Sequence, residues 1–107
     1  MGLDEVGATL EELWMSYNVV EKLDGLQPCV KLHTFYISNN KIKSFDEVAK
    51  LSNMPELKAI LLKGNPLYGE NDPHDMVPQV VKRIPTIGNV DGELIDDQIR
   101  KAAADLD

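Results

Sequence analysis

The chain of 107 residues contains a single cysteine, few aromatic residues (6%) and no long apolar run. Cys29 has no partner for a disulfide within the chain, which favours a reducing compartment such as the cytoplasm. The longest apolar runs have only a few residues, whereas a membrane-spanning helix needs roughly 20. The first residues also lack a basic stretch followed by an apolar run, the pattern of a secretory signal. We therefore expect neither secretion nor a membrane partner.

Positive charge is also scarce. The formal net charge is −7, from 18 acidic and 11 basic residues, and the sequence pI is about 4.7. An acidic surface repels phosphate groups, so the composition argues against nucleic acid as a partner and leaves basic protein surfaces open. Apolar residues make up 43% of the chain, which is ordinary for a single globular domain.

A repeated pattern of apolar residues and asparagine is the main signal in the sequence. Residues 10–20, 32–42 and 57–67 each read apolar-x-x-apolar-x-apolar-x-x-Asn-x-apolar. The asparagine positions of the three copies are Asn18, Asn40 and Asn65. Their spacing lies in the range of about 20–29 residues that is typical of leucine-rich repeats. Three copies in phase therefore predict a leucine-rich-repeat solenoid.

This pattern predicts an α/β architecture. Alternate residues of each copy are apolar, as in a short strand with one buried face, and the strands are expected to stack in parallel on one face of the solenoid. The three asparagines carry both a donor and an acceptor, so we expect them to form a buried column that satisfies backbone groups at the turns. We place the repeats at about 10–31, 32–56 and 57–68, followed by a C-terminal helical cap at about 69–95 and a tail at 96–107 of the same domain.

The return segments between the strands predict short helices or 3₁₀ turns on the other face. The residues with helix-like spacing, expected to point inward, are Leu23, Leu26, Phe45, Val48 and Leu51. Ser44 or Asp46 is placed to cap a helix that runs to about Lys50. Gly25 and Pro28 favour a 3₁₀ turn in the first return segment. We interpret Cys29, Val30 and Met54 as residues that fill the core.

The two ends of the solenoid differ. Residues 75–85 predict a capping helix with Asp75 as its N-cap, Pro78 in its first turn and Pro85 at its end. Residues 87–92 should add a strand-like rung and a turn, and residues 96–107 read as a frayed or protruding helix. The N-terminal end shows no comparable cap. This fits a fragment, a shortened solenoid, or a first rung that is covered by a partner or by self-association.

The outward strand positions indicate a binding surface. Trp14, Tyr36 and Leu61 occupy the same position in three successive strands, and strands about 4.8 Å apart would join them in one apolar stripe. Apolar patches with a polar rim are typical of protein interfaces, and tryptophan and tyrosine are preferred anchors. The predicted partner-binding residues are Trp14, Tyr36, Leu61, Tyr17, Glu12, Asn39 and Lys63. The alternative is an amphipathic face without a ligand.

No catalytic constellation is recognisable. The acidic loop with Glu70, Asp72, His74 and Asp75 offers possible metal ligands, but acidic residues beside a proline are typical turn and cap formers. The sequence has no nucleophile elbow, no glycine-rich phosphate loop and no paired cysteines. We expect a protein that is not an enzyme and that uses no metal or cofactor.

Several strings resemble the axonemal outer-arm dynein light chains of leucine-rich-repeat type. The most specific are EELWMSYN at residues 11–18 and YISNNK at residues 36–41, and the resemblance extends over about residues 2–95. The strings GNPL, KRIP and VDG, at residues 64–67, 82–85 and 90–92, are similar as well. The repeat positions alone also occur in a phosphatase regulatory subunit and in a spliceosomal protein. The N-terminal helix and the first repeats of the dynein light chains have no counterpart in this sequence.

The resemblance implies a non-enzymatic light chain. Such a chain is expected to bind an axonemal dynein heavy chain at the microtubule-binding tip of its stalk, with microtubules as a second candidate partner. It would modulate motor activity in the axoneme of cilia and flagella, as part of the cytoskeleton. Two alternatives stay open: a regulatory subunit of a protein phosphatase, and a structural or assembly module.

Overall fold

The computed structural model describes residues 9–24, 26 and 29–106, and its centre is a five-stranded sheet. In sheet order the strands are β1 (Glu12–Trp14), β2 (Thr34–Tyr36), β3 (Ala59–Leu61), β4 (Asn89–Val90) and β5 (Glu93–Leu94). The first four strands are parallel, and β5 runs antiparallel to β4. The predicted solenoid with parallel strands on one face is confirmed, and residues 87–92 supply the predicted further rung.

Alternation along the strands buries one face of the sheet. Phe35 of β2 lies between Leu13 of β1 and Ile60 of β3, and Ile60 lies beside Val90 of β4. Phe35, Ile60 and Val90 are at most 1% exposed. Leu13 is only half-buried, because β1 is the first strand of the sheet in the described part of the chain. The core is therefore complete in the middle of the solenoid, and within the described residues it is less well covered at β1.

Short helical segments close the core on the other face. α1 (Phe45–Ala49) begins after Ser44, whose hydroxyl accepts a hydrogen bond from the backbone N–H of Asp46 at 3.0 Å, so Ser44 is the cap. A 3₁₀ turn follows at Lys50–Asn53. The residues predicted to point inward are buried or packed against the buried core: Leu23, Leu26, Phe45, Val48 and Leu51.

The predictions for the core-filling residues hold in part. Cys29 and Met54 are buried, and burial raises the pKa of the Cys29 thiol. Val30 is 53% exposed, so its assignment to the core was wrong. The N–H of Leu32 bonds to the carbonyl of Cys29, and this turn buries Cys29 and Leu32 while Val30 between them lies outside. Residues 1–8, and Gly25 and Pro28 of the predicted first return turn, lie outside the described residues.

The asparagine after each strand joins neighbouring rungs. The side-chain amide of Asn40 donates to the carbonyl oxygens of Met15, Ile37 and Ser38 at 2.9 to 3.1 Å. Its Oδ1 accepts from the N–H of Val20 at 3.0 Å. Asn65 makes the corresponding bonds one rung further along. Its Oδ1 accepts from the N–H of Ile42, and its amide donates to the carbonyls of Ile37 and Leu62. Both side chains are at most 3% exposed, which confirms the predicted column at these two positions.

Asn18 departs from the predicted column. It is exposed, and its amide donates only to the carbonyls of Met15 and Ser16 in its own turn. The burial of Asn40 depends on the rung before it, and the described residues contain no rung before β1. The prediction of a buried Asn18 was therefore wrong.

The C-terminal cap consists of α2 (Pro73–Arg83) and α3 (Asp97–Ala104). The carboxylate of Asp72 accepts from the N–H of His74 at 2.9 Å, and Pro73 holds the first helical position, where its missing N–H does no harm. Asp75 therefore lies in the first turn and is not the N-cap. Pro78 lies inside the helix instead of in its first turn. It leaves the His74 carbonyl without a helical donor, and solvent can reach this exposed residue.

α3 packs against the domain. Ala103 is buried, Ile99 contacts the core, and the Arg100 guanidinium donates to the carbonyls of Pro85 and Ile87 at 2.6 and 2.9 Å. The prediction of a frayed or protruding helix was wrong, because its apolar side covers the end of the core. No helix in the described part of the chain is both long enough and apolar enough to cross a membrane.

Candidate protein-binding face

The outward side chains of the sheet form an open face with an aromatic stripe, here defined as Trp14, Tyr36 and Leu61. The strand register places Trp14 beside Tyr36 and Tyr36 beside Leu61. The Trp14 and Tyr36 rings stack, with centroids 5.4 Å apart and ring planes inclined by 29°. Trp14 is 69% exposed, while Tyr36 and Leu61 are half-buried. The structure thus brings the predicted stripe together at the surface.

The turn after each of the first three strands uses a left-handed backbone conformation at one position. The φ angles are 61° at Tyr17, 55° at Asn39 and 84° at Gly64. Asparagine tolerates this conformation, whereas a bulky residue such as tyrosine is unusual there. At Gly64 a Cβ would lie 2.3 Å from the Asn39 Oδ1 atom, so glycine is the residue that fits. Tyr17 is 81% exposed, beside the N-terminal end of the aromatic stripe.

Polar positions border the aromatic stripe on both sides. One column consists of the polar Glu12 and Thr34 and the small Ala59, aligned by the strand register. On the other side Ser38 donates to the hydroxyl of Ser16 at 2.8 Å, and Lys63 is exposed. Ser38 is only 2% exposed, so its hydroxyl links two rungs and is closed to a partner.

Asp91 closes the far end of the aromatic stripe, a role that the sequence reasoning missed. Its carboxylate accepts from the backbone N–H groups of Leu62 and Lys63 at 2.6 and 2.8 Å and from the Tyr68 hydroxyl at 2.6 Å. Burial, and then this hydrogen bond, raise the pKa of Tyr68 above its ordinary value. In the earlier rungs the corresponding N–H groups, such as that of Ile37, donate to carbonyls of the next strand. The side chain of Asp91, directly after β4, therefore takes the place of the backbone carbonyls that a longer parallel strand would offer.

The β4–β5 hairpin explains why the parallel stacking stops at this point. Asp91 and Gly92 have φ angles of 52° and 84°, the left-handed pair of a two-residue hairpin turn. In the sequence, the pair Asp91-Gly92 was the signal that indicates such a hairpin turn. Leu94 of β5 lies opposite Asn89 and is 76% exposed, so it adds an apolar side chain to the open face. The sequence reasoning missed Leu94 because it followed only the parallel repeat.

The acidic loop before α2 forms caps and an ion pair. Asp72 caps α2, and His74 Nδ1 lies 2.8 Å from a carboxylate oxygen of Glu93 on β5. The hydrogen bond to Glu93 is the main cause that raises the pKa of His74 above its ordinary value. Among the described residues, no group of three or more histidine, cysteine, aspartate or glutamate side chains is arranged to hold a metal ion.

Comparisons with known proteins agree with this geometry. A family model described as Leucine Rich repeats (2 copies) matches residues 8–50. Dynein axonemal light chain 1 of Chlamydomonas reinhardtii is 42% identical over 94% of this chain. Cilia- and flagella-associated protein 410 of Mus musculus is 28% identical over 84% of it. The chain spans only 53% and 36%, respectively, of the lengths of these two relatives.

Two solved structures share the fold. A chain of the Drosophila melanogaster SNF/U2A′ complex has a TM-score of 0.77 at 21% identity, covering 89% of this chain and 54% of that chain. A chain of the Chaetomium Mex67:Mtr2 structure has a TM-score of 0.67 at 17% identity, covering 92% of this chain and 62% of that chain. At these identities the likeness concerns the fold alone. The chain is a leucine-rich-repeat protein, and its resemblance to the leucine-rich-repeat axonemal dynein light chain is confirmed over nearly its whole length.

Proposed function

We propose that this chain is a non-catalytic light chain that binds an axonemal dynein heavy chain through the aromatic stripe. The observation that carries the proposal is Trp14, which is 69% exposed and stacked on Tyr36 on the open face of the sheet. The 42% identity with a protein named as an axonemal dynein light chain supports the choice of partner. Relatives named for cilia and flagella support a location in the axoneme.

The stripe has the physical properties of an interface centre. Tryptophan and tyrosine bury a large apolar area when a partner covers them, at a small cost in side-chain entropy. Stacking on Tyr36 already restricts Trp14, so less freedom is lost on binding. Glu12 and Lys63 lie at the border of the stripe and supply charges of opposite sign that can orient a partner. The net charge of −7 favours a basic partner surface.

The partner region is the stalk of the heavy chain, near its microtubule-binding tip. Binding there would allow the light chain to modulate motor activity, because the stalk tip is the part of the motor that engages the microtubule. Tyr17 and Asn39 would contact the partner beside the stripe, at the turns that follow β1 and β2.

The test is the affinity of purified protein for a dynein stalk-tip fragment, measured by calorimetry beside the melting temperature. Trp14→Ala should weaken binding by about thirtyfold, or ~2 kcal/mol, and Tyr36→Ala should act in the same direction. The stability of the fold should change by only about 0.5 kcal/mol, because Trp14 is a surface residue. Val30→Ala is the matched control: it removes an exposed apolar side chain that borders Lys50 and Asn53 on another surface.

If Trp14→Ala and Val30→Ala both bind with the affinity of the unchanged protein, the aromatic stripe is not part of the interface. An affinity capture from ciliary extract, with the Trp14 variant as reference, tests the partner itself. Recovery of a phosphatase catalytic subunit in place of a dynein heavy chain would overturn the dynein assignment. Co-sedimentation with microtubules, with and without the stalk fragment, separates direct from indirect microtubule binding.

A further inference from the structure

The charged residues that border the open face are unevenly distributed along the solenoid. Glu11 precedes β1, Glu12 is its first residue, and both are exposed. At the next rung, His33 holds the position before β2. On the rung of β3 the exposed border residues are Lys58, before the strand, and Lys63, after it. The border of the face therefore changes from acidic at β1 to basic at β3.

The backbone holds the two lysines of β3 in place. The N–H of Lys58 donates to the carbonyl of His33 on the rung before at 2.9 Å, and its carbonyl accepts from the rung after. The carbonyl of Lys63 accepts from the N–H of Asn39 at 3.0 Å, and its N–H donates to the carboxylate of Asp91 at 2.8 Å. Neither ammonium group forms an ion pair with a described residue. Two cations without a counter-charge thus extend from fixed backbone positions on either side of the aromatic stripe.

The spacing of the aromatic stripe fits an α-helix that crosses the strands. Neighbouring strands are about 4.8 Å apart, close to the helical pitch of about 5.4 Å, so one face of a helix can follow Trp14, Tyr36 and Leu61 in step. An extended segment repeats its side chains on one face only about every 6.8 Å. Leu94 is 76% exposed on β5, two strands beyond β3, and lengthens the apolar path. A helix of about 13 residues covers the distance from Trp14 to Leu94.

We infer that the open face sets the direction of a partner helix by charge: the basic end of the helix lies over β1 and its acidic end over β3. This inference rests on the proposed function and adds the chemistry of the partner segment. The reverse direction would bring carboxylates beside Glu11 and Glu12 and cations beside the two lysines, and like charges in contact repel. A partner that is basic throughout, which the net charge of −7 alone favours, would leave both lysines opposed by like charge.

Two synthetic peptides test the direction without the heavy chain. Each is an amphipathic helix of about 15 residues, or about 22 Å, and the two have the same composition. One carries lysines in its first half and glutamates in its second, and in the other the halves are exchanged. In both complexes a nitroxide label at the glutamate end should broaden the amide resonances of Lys63 and Leu94, and a label at the lysine end that of Glu12. Broadening that follows the chain direction of the peptide, equal broadening by both ends, or no binding of either peptide would overturn the inference.

The lysines are tested together in the variant Lys58→Gln/Lys63→Gln. It should abolish the preferred direction of both peptides and weaken binding of the dynein stalk-tip fragment by about fivefold. The matched control Lys22→Gln/Lys101→Gln removes the same charge at exposed positions on the first return segment and on α3, and should change neither result. Tighter binding of the fragment to the first variant than to the unchanged protein would indicate a partner surface that is basic throughout and would overturn the inference. A fragment that does not bind the unchanged protein contradicts the proposed function, while the labelled peptides still decide the direction.

Discussion

Replacement of Asn40 by alanine tests the asparagine column, the feature on which the repeat assignment depends. Asn40 is 2% exposed and makes four hydrogen bonds, three as donor and one as acceptor. Alanine leaves the N–H of Val20 and the carbonyl of Met15 without their link between rungs. Each buried group left unpaired costs about 1–3 kcal/mol, and carbonyls that keep another donor cost less. We expect Asn40→Ala to lower the free energy of unfolding by about 3 kcal/mol.

Asn18→Ala is the matched control, since the residue type and the repeat position are the same. Asn18 is exposed, and solvent can replace its two bonds within the turn, so we expect a loss of about 0.5 kcal/mol. Urea titrations followed by circular dichroism give both values, with the slopes checked for equality so that the two midpoints are comparable. Equal losses for the two variants would refute the view that the column acts by joining neighbouring rungs.

Three other perturbations have defined outcomes. Asp91→Ala should lower the free energy of unfolding by about 3 kcal/mol, because three donors lose their acceptor. Asp91→Asn keeps an acceptor oxygen and should lower it clearly less in the same urea titration. Gly64→Ala and Gly92→Ala each introduce a Cβ at a φ of 84°, but only the Cβ at Gly64 meets the Asn39 side chain. Gly64→Ala should therefore lower the free energy of unfolding by about 1–2 kcal/mol more than Gly92→Ala does. Equal melting temperatures of the two variants would contradict this. Folding raises the pKa of His74. The stability that its pairing with Glu93 supplies should therefore be present below about pH 6.5 and be lost as the pH rises through the folded pKa. We expect His74→Gln to reduce the melting temperature more at acidic than at alkaline pH.

The phase of the repeat could be predicted from the sequence because two independent signals coincide. The alternation of Phe35 and Ile37 sets which face of β2 is buried, and Asn40 fixes where the strand ends. A shift by one residue would bury Tyr36 and expose Phe35, which the pattern excludes. The register of the first three strands, and with it the alignment of the aromatic stripe, follows from this phase alone.

Features that depend on a neighbour in space could not be predicted in this way. Asn18 matches the pattern as well as Asn40 does, but its burial needs a rung on its other side. The C-terminal tail has the composition of an ordinary solvated helix. Its docking depends on Arg100, which finds the carbonyls of Pro85 and Ile87 only after the chain has folded back. The local sequence pattern therefore predicted the C-terminal helix but could not predict its contacts with the rest of the domain.

The start of α2 shows a third kind of difficulty, in which two caps compete. Asp72 and Asp75 are both suitable N-cap residues, and the choice between them decides where Pro73 and Pro78 lie. The chain starts the helix at Pro73, because a proline in the first position loses no hydrogen bond and the Asp72 carboxylate caps the N–H of His74. Pro78 then lies inside the helix. The sequence analysis took Asp75 as the N-cap, which placed Pro78 in the first turn.

The exposed apolar side chains have an uneven distribution that matters for function. Trp14, Tyr17 and Val19 are 69 to 81% exposed, and all three belong to the first described repeat. In a solenoid each rung is stabilised mainly by its neighbours, so a rung with one neighbour is held less firmly than those in the middle. Among the described residues β1 has a neighbouring strand on one side only, so the best candidate anchor, Trp14, lies at the end of the described sheet. A partner that covers the aromatic stripe would supply part of the burial that this rung lacks, so that binding at Trp14 and ordering of β1 reinforce each other.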